Sequence, residues 1–395
     1  MTRKFFRHIF IFFSALFIGT SSLYAEMYTF EDINFIMDIP EGFYLSDMNK
    51  ERDSFFFESK LMPVKYALKF YSEERYKDPK AMIEDVIAQL SAKGGIEEVN
   101  WYGRKCYLST FQFVMPDQRL YAGWAFSIQV PLKNNPDKKQ NVLMLTYADA
   151  QISRDCDQYM LSIIDSVFFC QEDFRRPGPV TTFAYPENDT AELILNIGGK
   201  TIISSLETDA IDRSKFVLER EYAVLKIYAN HEKWKEAWQR YYRQIFRESY
   251  NAFDNIASDV YKELLPVAQK ANFVCPHMEM LQMLMDWVQD MEYERDKEHA
   301  DFTVPVAAVQ GFGCDCDSRS MLMCIMLEHF GIQTELFISR EYSHAVFGAA
   351  LNQNGAAIEV NGTKFVLGET TAKVNFGLIA QEQSDTSKWI EVDLP

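Results

Sequence analysis

The chain has 395 residues, of which 48% are hydrophobic, 14% aromatic and 25% charged, with a formal net charge of −17. That composition excludes an intrinsically disordered chain and supplies enough apolar mass for two or three folded domains. The acidic balance argues against nucleic acid or anionic lipid as a partner, because both recruit basic surfaces.

Arg3, Lys4 and Arg7 precede an apolar run at residues 9–19 and a small, polar stretch at residues 20–25. This is the layout of a secretory leader cleaved after Ala25. The run is short for a permanent span, and no later segment is apolar enough to cross a bilayer. An exported chain, periplasmic or extracellular, with no stable membrane span after leader removal is therefore expected. Losing the leader removes three cations and no acids, which takes the net charge from −17 to −20. All seven cysteines lie in the mature part. Their odd number leaves at least one thiol unpaired in a compartment that favours disulfides.

Residues 26–172 read as an α+β domain. Phe35, Met37 and Ile39 alternate before Pro40, which is strand patterning. Residues 55–57, 67–71, 107–113, 123–130 and 141–147 also read as strands. Residues 80–92 fit a helix with Met82, Ile83, Val86, Ile87 and Leu90 on one face. Residues 157–168 fit a second, through Tyr159, Met160, Ile163, Ile164 and Val167. Two helices among about six strands predict an antiparallel sheet covered by helices. The stretches Phe35-Ile36-Met37-Asp38-Ile39-Pro40-Glu41-Gly42-Phe43 and Asp165-Ser166-Val167-Phe168-Phe169 resemble the PsbP-like family of small α+β domains. That resemblance implies a binding or accessory role, and this half carries no catalytic constellation.

Residues 173–262 read as a linker, a hairpin and an aromatic helix that packs on the C-terminal core. Arg175-Arg176-Pro177-Gly178-Pro179 is a linker by composition. Leu193, Leu195 and Ile197 alternate before Gly198-Gly199, and residues 201–204 return as the second strand. Residues 216–229 mix strand and helix signals. Residues 231–251 form a helix lined by Trp234, Trp238, Tyr241, Tyr242, Ile245 and Phe246, an aromatic face at core spacing, with Arg240, Arg243 and Arg247 elsewhere on it.

The chemistry concentrates in residues 263–395. Residues 276–291 read as an amphipathic helix. The run Gly311-Phe312-Gly313-Cys314-Asp315-Cys316-Asp317-Ser318-Arg319-Ser320 then opens into a helix at residues 321–330, closed by Gly331. A thiol at a helix N-terminus meets unpaired amides and the positive end of the macrodipole. Both favour the nucleophilic thiolate, and the same amides can stabilise an oxyanion. Asp315 and Asp317 oppose this by raising the thiol pKa, so a nearby imidazolium is required. Residues 334–339 read as a strand, His344 opens the next, and residues 364–371 end a third at Glu369. A thiol on a helix tip, an imidazole on one strand and a carboxylate on the next follow the logic of a catalytic triad.

Five stretches here resemble the transglutaminase-like superfamily, related in architecture to papain-like cysteine peptidases. They are residues 287–293, Cys316-Asp317-Ser318-Arg319-Ser320, Gly331-Ile332, Ser343-His344-Ala345 and Glu369-Thr370-Thr371, in family order. The resemblance implies Cys316 as nucleophile, His344 as base and Glu369 as the orienting acid. It departs from the family at Cys314, where glycine is usual, at Ser318, often an acid, and at Glu369, more often aspartate. It implies attack on a carboxamide or peptide carbonyl of a protein or cell-wall peptide. Water as acceptor gives a peptidase, amidase or deamidase, and an amine gives crosslinking. No metal or cofactor is needed, and the spacing of Cys314, Cys316 and Cys324 matches no pattern of paired zinc ligands. Cys314 and Cys316 could close into a strained, reversible disulfide. Gln289 or Tyr293 is a candidate second oxyanion donor. The alternative function is a catalytically silent binding or envelope assembly module.

Overall fold

The computed structural model describes residues 27–30, 33–116, 118–295 and 300–394. The expected leader, residues 1–25, lies outside the described residues, as does His299. Among the described residues no helix is long and apolar enough to cross a membrane.

The fold is α+β, built on antiparallel sheets. β1 (Met27–Phe30) and β2 (Phe35–Asp38) pair edge to edge. β3 (Phe43–Met48), β4 (Ser54–Ser59), β5 (Val64–Ser72), β6 (Ile96–Trp101), β7 (Arg104–Val114), β8 (Leu120–Leu132) and β9 (Asn135–Asp149) make a seven-stranded sheet in the order β3-β4-β5-β9-β8-β7-β6. Side chains alternate across it. Tyr107, Phe111, Tyr121, Leu143 and Tyr147 face α1 (Pro79–Gln89). Leu108, Phe126, Ile128, Val142 and Met144 face α2 (Asp157–Asp165). Each side of the sheet thus has its own core. α2 ends three residues before the sequence suggests, because Val167–Phe168 leaves as β10 to pair with β2.

The Pro-Gly segment is not a free linker. It forms a 3-10 turn (Gln171–Arg175) and α3 (Pro179–Ala184). The Asp165 carboxylate caps α3 by accepting from Val180 N at 2.8 Å and Thr181 N at 3.1 Å. Gly178 sits so close to Asp165 that a Cβ would lie 2.2 Å from its backbone oxygen. The hairpin β11 (Thr190–Ile197) and β12 (Lys200–Glu207) follows as read from the sequence. The ambiguous stretch after it is helical, as α4 (Ala210–Lys226).

α5 (Trp234–Tyr250) is buried on both sides. One face carries Tyr242, Ile245 and Phe246 into the core shared with α6 (Asp254–Ala271) and α7 (Pro276–Gln289). On the opposite face Arg240, Arg243 and Arg247 recur at helical spacing and reach into the N-terminal half. Arg243 holds both oxygens of Asp38, at 2.8 and 3.1 Å. Arg240 bonds Glu221 Oε2 at 2.6 Å and Ser162 Oγ at 2.8 Å. Arg247 donates to the carbonyls of Asp165, Val167, Asp173 and Arg176. Arg220 joins Asp165 at 2.7 Å and Glu221 at 2.8 Å. Buried charge is tolerated only when paired in this way.

The C-terminal part places α9 (Cys316–His329) against a five-stranded sheet, with α8 (Pro305–Ala308) packed on α9. Its strands are β13 (Thr334–Ser339), β14 (His344–Ala349), β15 (Ala357–Val360), β16 (Thr363–Gly368) and β17 (Ile390–Val392), in the order β15-β16-β14-β13-β17.

Asp38→Ala leaves Arg243 buried without its carboxylate acceptor, while Arg240 keeps Glu221, Ser162 and the residue 38 carbonyl. Breaking a buried pair from one side costs about 3–5 kcal/mol, so chemical denaturation of this variant is expected to show a loss of that order with the m-value kept.

Candidate functional site

Three elements meet at one end of the five-stranded sheet. α9 begins at Cys316, five residues earlier than its apolar pattern suggests, because Asp315 caps it. The Asp315 carboxylate accepts from Ser318 N at 3.0 Å and Ser318 Oγ at 2.7 Å, as an N-cap acid does. The loop before it is clamped. Cys314 N donates to Glu292 O at 3.0 Å, Glu294 N to Cys314 O at 3.3 Å, and Thr303 Oγ1 to Gly313 O at 2.8 Å. Cys316 therefore enters at the first helical turn, where the backbone amides are unpaired.

His344 opens β14 after a turn of four residues in which Ser343 takes φ 49°. Glu369 follows the last residue of β16, which is antiparallel to β14. The strands approach closely there, since a Cβ on Gly368 would meet the Phe347 ring at 2.1 Å. This register brings His344 Nε2 to 2.8 Å from Glu369 Oε2. The other oxygen, Oε1, accepts from Thr371 N and Thr371 Oγ1, each at 2.6 Å. Burial alone would raise Glu369, but the bond and charge of His344 and the Thr371 donors outweigh it and hold the acid at about 2. An ionised carboxylate only accepts, so Nε2 carries the proton and Nδ1 is left as the imidazole's acceptor. Trp389 flanks the imidazole with ring centroids 6.3 Å apart.

α9 ties itself to both strands. Ser320 Oγ donates to Ala345 O at 3.2 Å and lies 3.4 Å from Thr370 Oγ1. Arg319, fully buried, donates to Thr370 O at 3.1 Å and Met291 O at 2.6 Å. Thus the three residues singled out from the sequence share one end of the sheet. His344 and Glu369 touch directly. The Ala345 backbone, next in chain to His344, favours the ionised form of the Cys316 thiol, and the thiol donates to Asp317 Oδ1 at 3.5 Å.

The thiol is not primed at rest. Burial first, then the carboxylates of Asp317 and Asp315, push it well above the usual thiol range, against the Ala345 amide. Burial and Asp317 also lift Asp315 to about 6. Cys316 is 5% exposed, so approach to the sulfur is narrow. The helix-tip effect expected from the sequence is outweighed by these two acids and by desolvation. Cys314 carries a free thiol that donates to Met291 Sδ at 3.8 Å.

Gln289 is occupied otherwise than as an oxyanion donor. Its amide nitrogen donates to Glu369 O at 2.8 Å and Val374 O at 3.0 Å, and so holds the segment that carries the acid. Tyr293 is half exposed beside Cys316, with the Arg319 guanidinium 5.4 Å from its ring centre. Sequence reading missed Tyr242, whose hydroxyl donates to Asp317 Oδ2 at 2.8 Å from 75 positions away. Its only local signal was its place in the aromatic face of α5. Among the described residues no group of three His, Cys, Asp or Glu side chains is placed to hold a metal ion.

The depressed Glu369 makes the pair pH-sensitive. Its stabilisation is present above about pH 4.5, the acid's ordinary value, and is lost as pH falls toward about 2. The stability gap between the native chain and Glu369→Gln is therefore expected to be largest near neutrality and to narrow in urea titrations as pH falls from about 4.5 toward about 2.

No protein-family model matches the chain, and no curated protein matches it. Among solved structures it is similar to cyanobacterial PsbP (CyanoP) from Synechocystis sp. PCC 6803, at 11% identity and a TM-score of 0.29, over 40% of this chain and 98% of that one. It is also similar to LpqN, described as involved in cell envelope biogenesis of Mycobacterium tuberculosis, at 8% identity and a TM-score of 0.24, over 34% of this chain and 82% of that one. Neither likeness bears on activity.

Proposed function

We propose that this chain is an exported, transglutaminase-like cysteine enzyme acting on amide or peptide bonds, with Cys316 as nucleophile, His344 as base and Glu369 as the orienting acid. In this reading residues 26–172 form a PsbP-like accessory domain, residues 173–262 connect, and residues 263–395 form the catalytic domain. The observation that carries it is the His344–Glu369 bond at 2.8 Å through Nε2, which turns Nδ1 free as a base beside a cysteine at a helix tip.

In the reaction His344 Nδ1 takes the Cys316 proton as sulfur attacks the carbonyl carbon, forming the C–S bond and an oxyanion. The amides at the start of α9 supply donors to that oxyanion. Collapse expels the amine, which takes the proton back from His344, and leaves an acyl thioester. Water then releases an acid, or a second amine forms a new amide. Glu369 holds the imidazole and stabilises its charged form without accepting the proton. Export makes proteins or cell-wall peptides the natural substrates.

A second reading, a catalytically silent binding or envelope assembly module, draws on the burial of the thiol and the two acids that hold it protonated. Turnover separates the two. Ammonia or amine release from a library of glutamine- and asparagine-containing peptides is expected to vanish in Cys316→Ala and to fall about 10²–10⁴-fold in His344→Ala. Release that survives Cys316→Ala rejects the nucleophile assignment.

A further inference from the structure

Asp317 has a partner from outside the elements that bear the candidate triad. Tyr242 of α5 donates to its Oδ2 at 2.8 Å, and the Cys316 thiol donates to its Oδ1 at 3.5 Å. Helix capping does not explain Asp317, because Asp315 already takes that duty. The macrodipole favours an acid in the first helical turn, but it does not call for a tyrosine brought in from another helix. The contact gives the thiol proton a carboxylate acceptor, and no hydrogen bond joins the thiol to His344 among the described residues.

We propose that Asp317, oriented by Tyr242, is a positioning residue that stores the nucleophile as its thiol and must yield the proton to His344 before attack. This rests on the reading of Cys316 as nucleophile. On activation the S–H bond breaks, the proton passes to His344 Nδ1, and a thiolate–imidazolium pair replaces the neutral pair while Asp317 keeps its charge. That charge beside the new thiolate opposes the step, and the imidazolium offsets it. The other ionisable groups facing the thiol are Asp315 on α9 and Tyr293 from the preceding segment, with Arg295 drawing Asp317 the opposite way. Burial raises the Asp317 carboxyl and the Tyr242 hydrogen bond acts against it by favouring the ionised form, so removing the hydroxyl lets Asp317 protonate more readily and weakens the restraint.

The test is iodoacetamide labelling of Cys316 in the purified chain, from pH 5 to 10 under reductant, mapped by peptide mass spectrometry. Asp317→Asn keeps shape and access while removing the charge. It is expected to lower the labelling midpoint by about one pH unit or more, a tenfold rise in thiolate fraction. Since nucleophilicity falls with pKa, the rate at pH 7 should rise by about threefold or more. Tyr242→Phe is expected to shift the midpoint in the same direction and by less. Urea unfolding of both variants checks that the fold is kept. An unchanged midpoint in a folded Asp317→Asn overturns the proposal, as does wild-type labelling that is already fast well below pH 8. The triad reading fails separately, if peptide turnover is unaffected by Cys316→Ala or His344→Ala.

Discussion

Three arginines on one face of α5 constrain the whole chain. Arg240, Arg243 and Arg247 are almost fully buried, and each desolvated charge costs several kcal/mol unless it is matched. Their acceptors are the Asp38 and Glu221 carboxylates and a ring of backbone carbonyls between Asp165 and Arg176. Those groups are fixed by β2, α2, β10, α4 and the turn before α3. α5 therefore has one seat, and rotating it by a single residue would strand all three cations. The opposite face of the same helix carries Tyr242 to Asp317, and Gln239 donates to Glu391 O in β17 at 2.8 Å. One helix thus couples the three-stranded sheet of β1, β2 and β10 to the candidate site.

At that site the environment pushes two sets of carboxylates in opposite directions. Glu369, ringed by donors, is held at about 2, whereas Asp315, buried beside another acid, is lifted to about 6. Such divergence marks places where charge is being managed. The outcome is an imidazole held through Nε2 by Glu369, at the end of the sheet where a buried sulfur keeps its proton. A resting thiol of this kind resists adventitious oxidation and alkylation, because the thiolate is the reactive form.

Much of this was legible in the sequence, and the reasons for what was not are physical. The alternating strands, the Gly198-Gly199 hairpin and the order of cysteine, histidine and acid are local patterns, and they fold where the patterns put them. β6 was missed because its sequence, IEEVNW, turns only Val99 and Trp101 inward. α6 was missed although Ile256, Val260, Leu264 and Ala268 recur every four residues, with Pro266 interrupting the signal. The Pro-Gly segment has linker composition, yet Asp165 pins it through backbone amides that no composition reveals. The arginine face of α5 looks like a solvated stripe, since a sequence does not say whether carboxylates elsewhere will fold against it. Tyr242 and Asp317 meet for the same reason, across 75 positions. The net effect of helix tip against flanking acids on Cys316 depends on burial, which spacing alone does not report.

The central claim is that Cys316 forms an acyl thioester with an amide or peptide substrate. Rapid acid quench of the purified chain with carboxamide-bearing peptides, followed by peptide mapping, tests it most directly. An adduct on Cys316 equal to the peptide mass less the expelled amine, released by hydroxylamine and missing from His344→Ala, is expected. An acyl group found on another residue, or no adduct with any peptide under conditions where product forms, contradicts it.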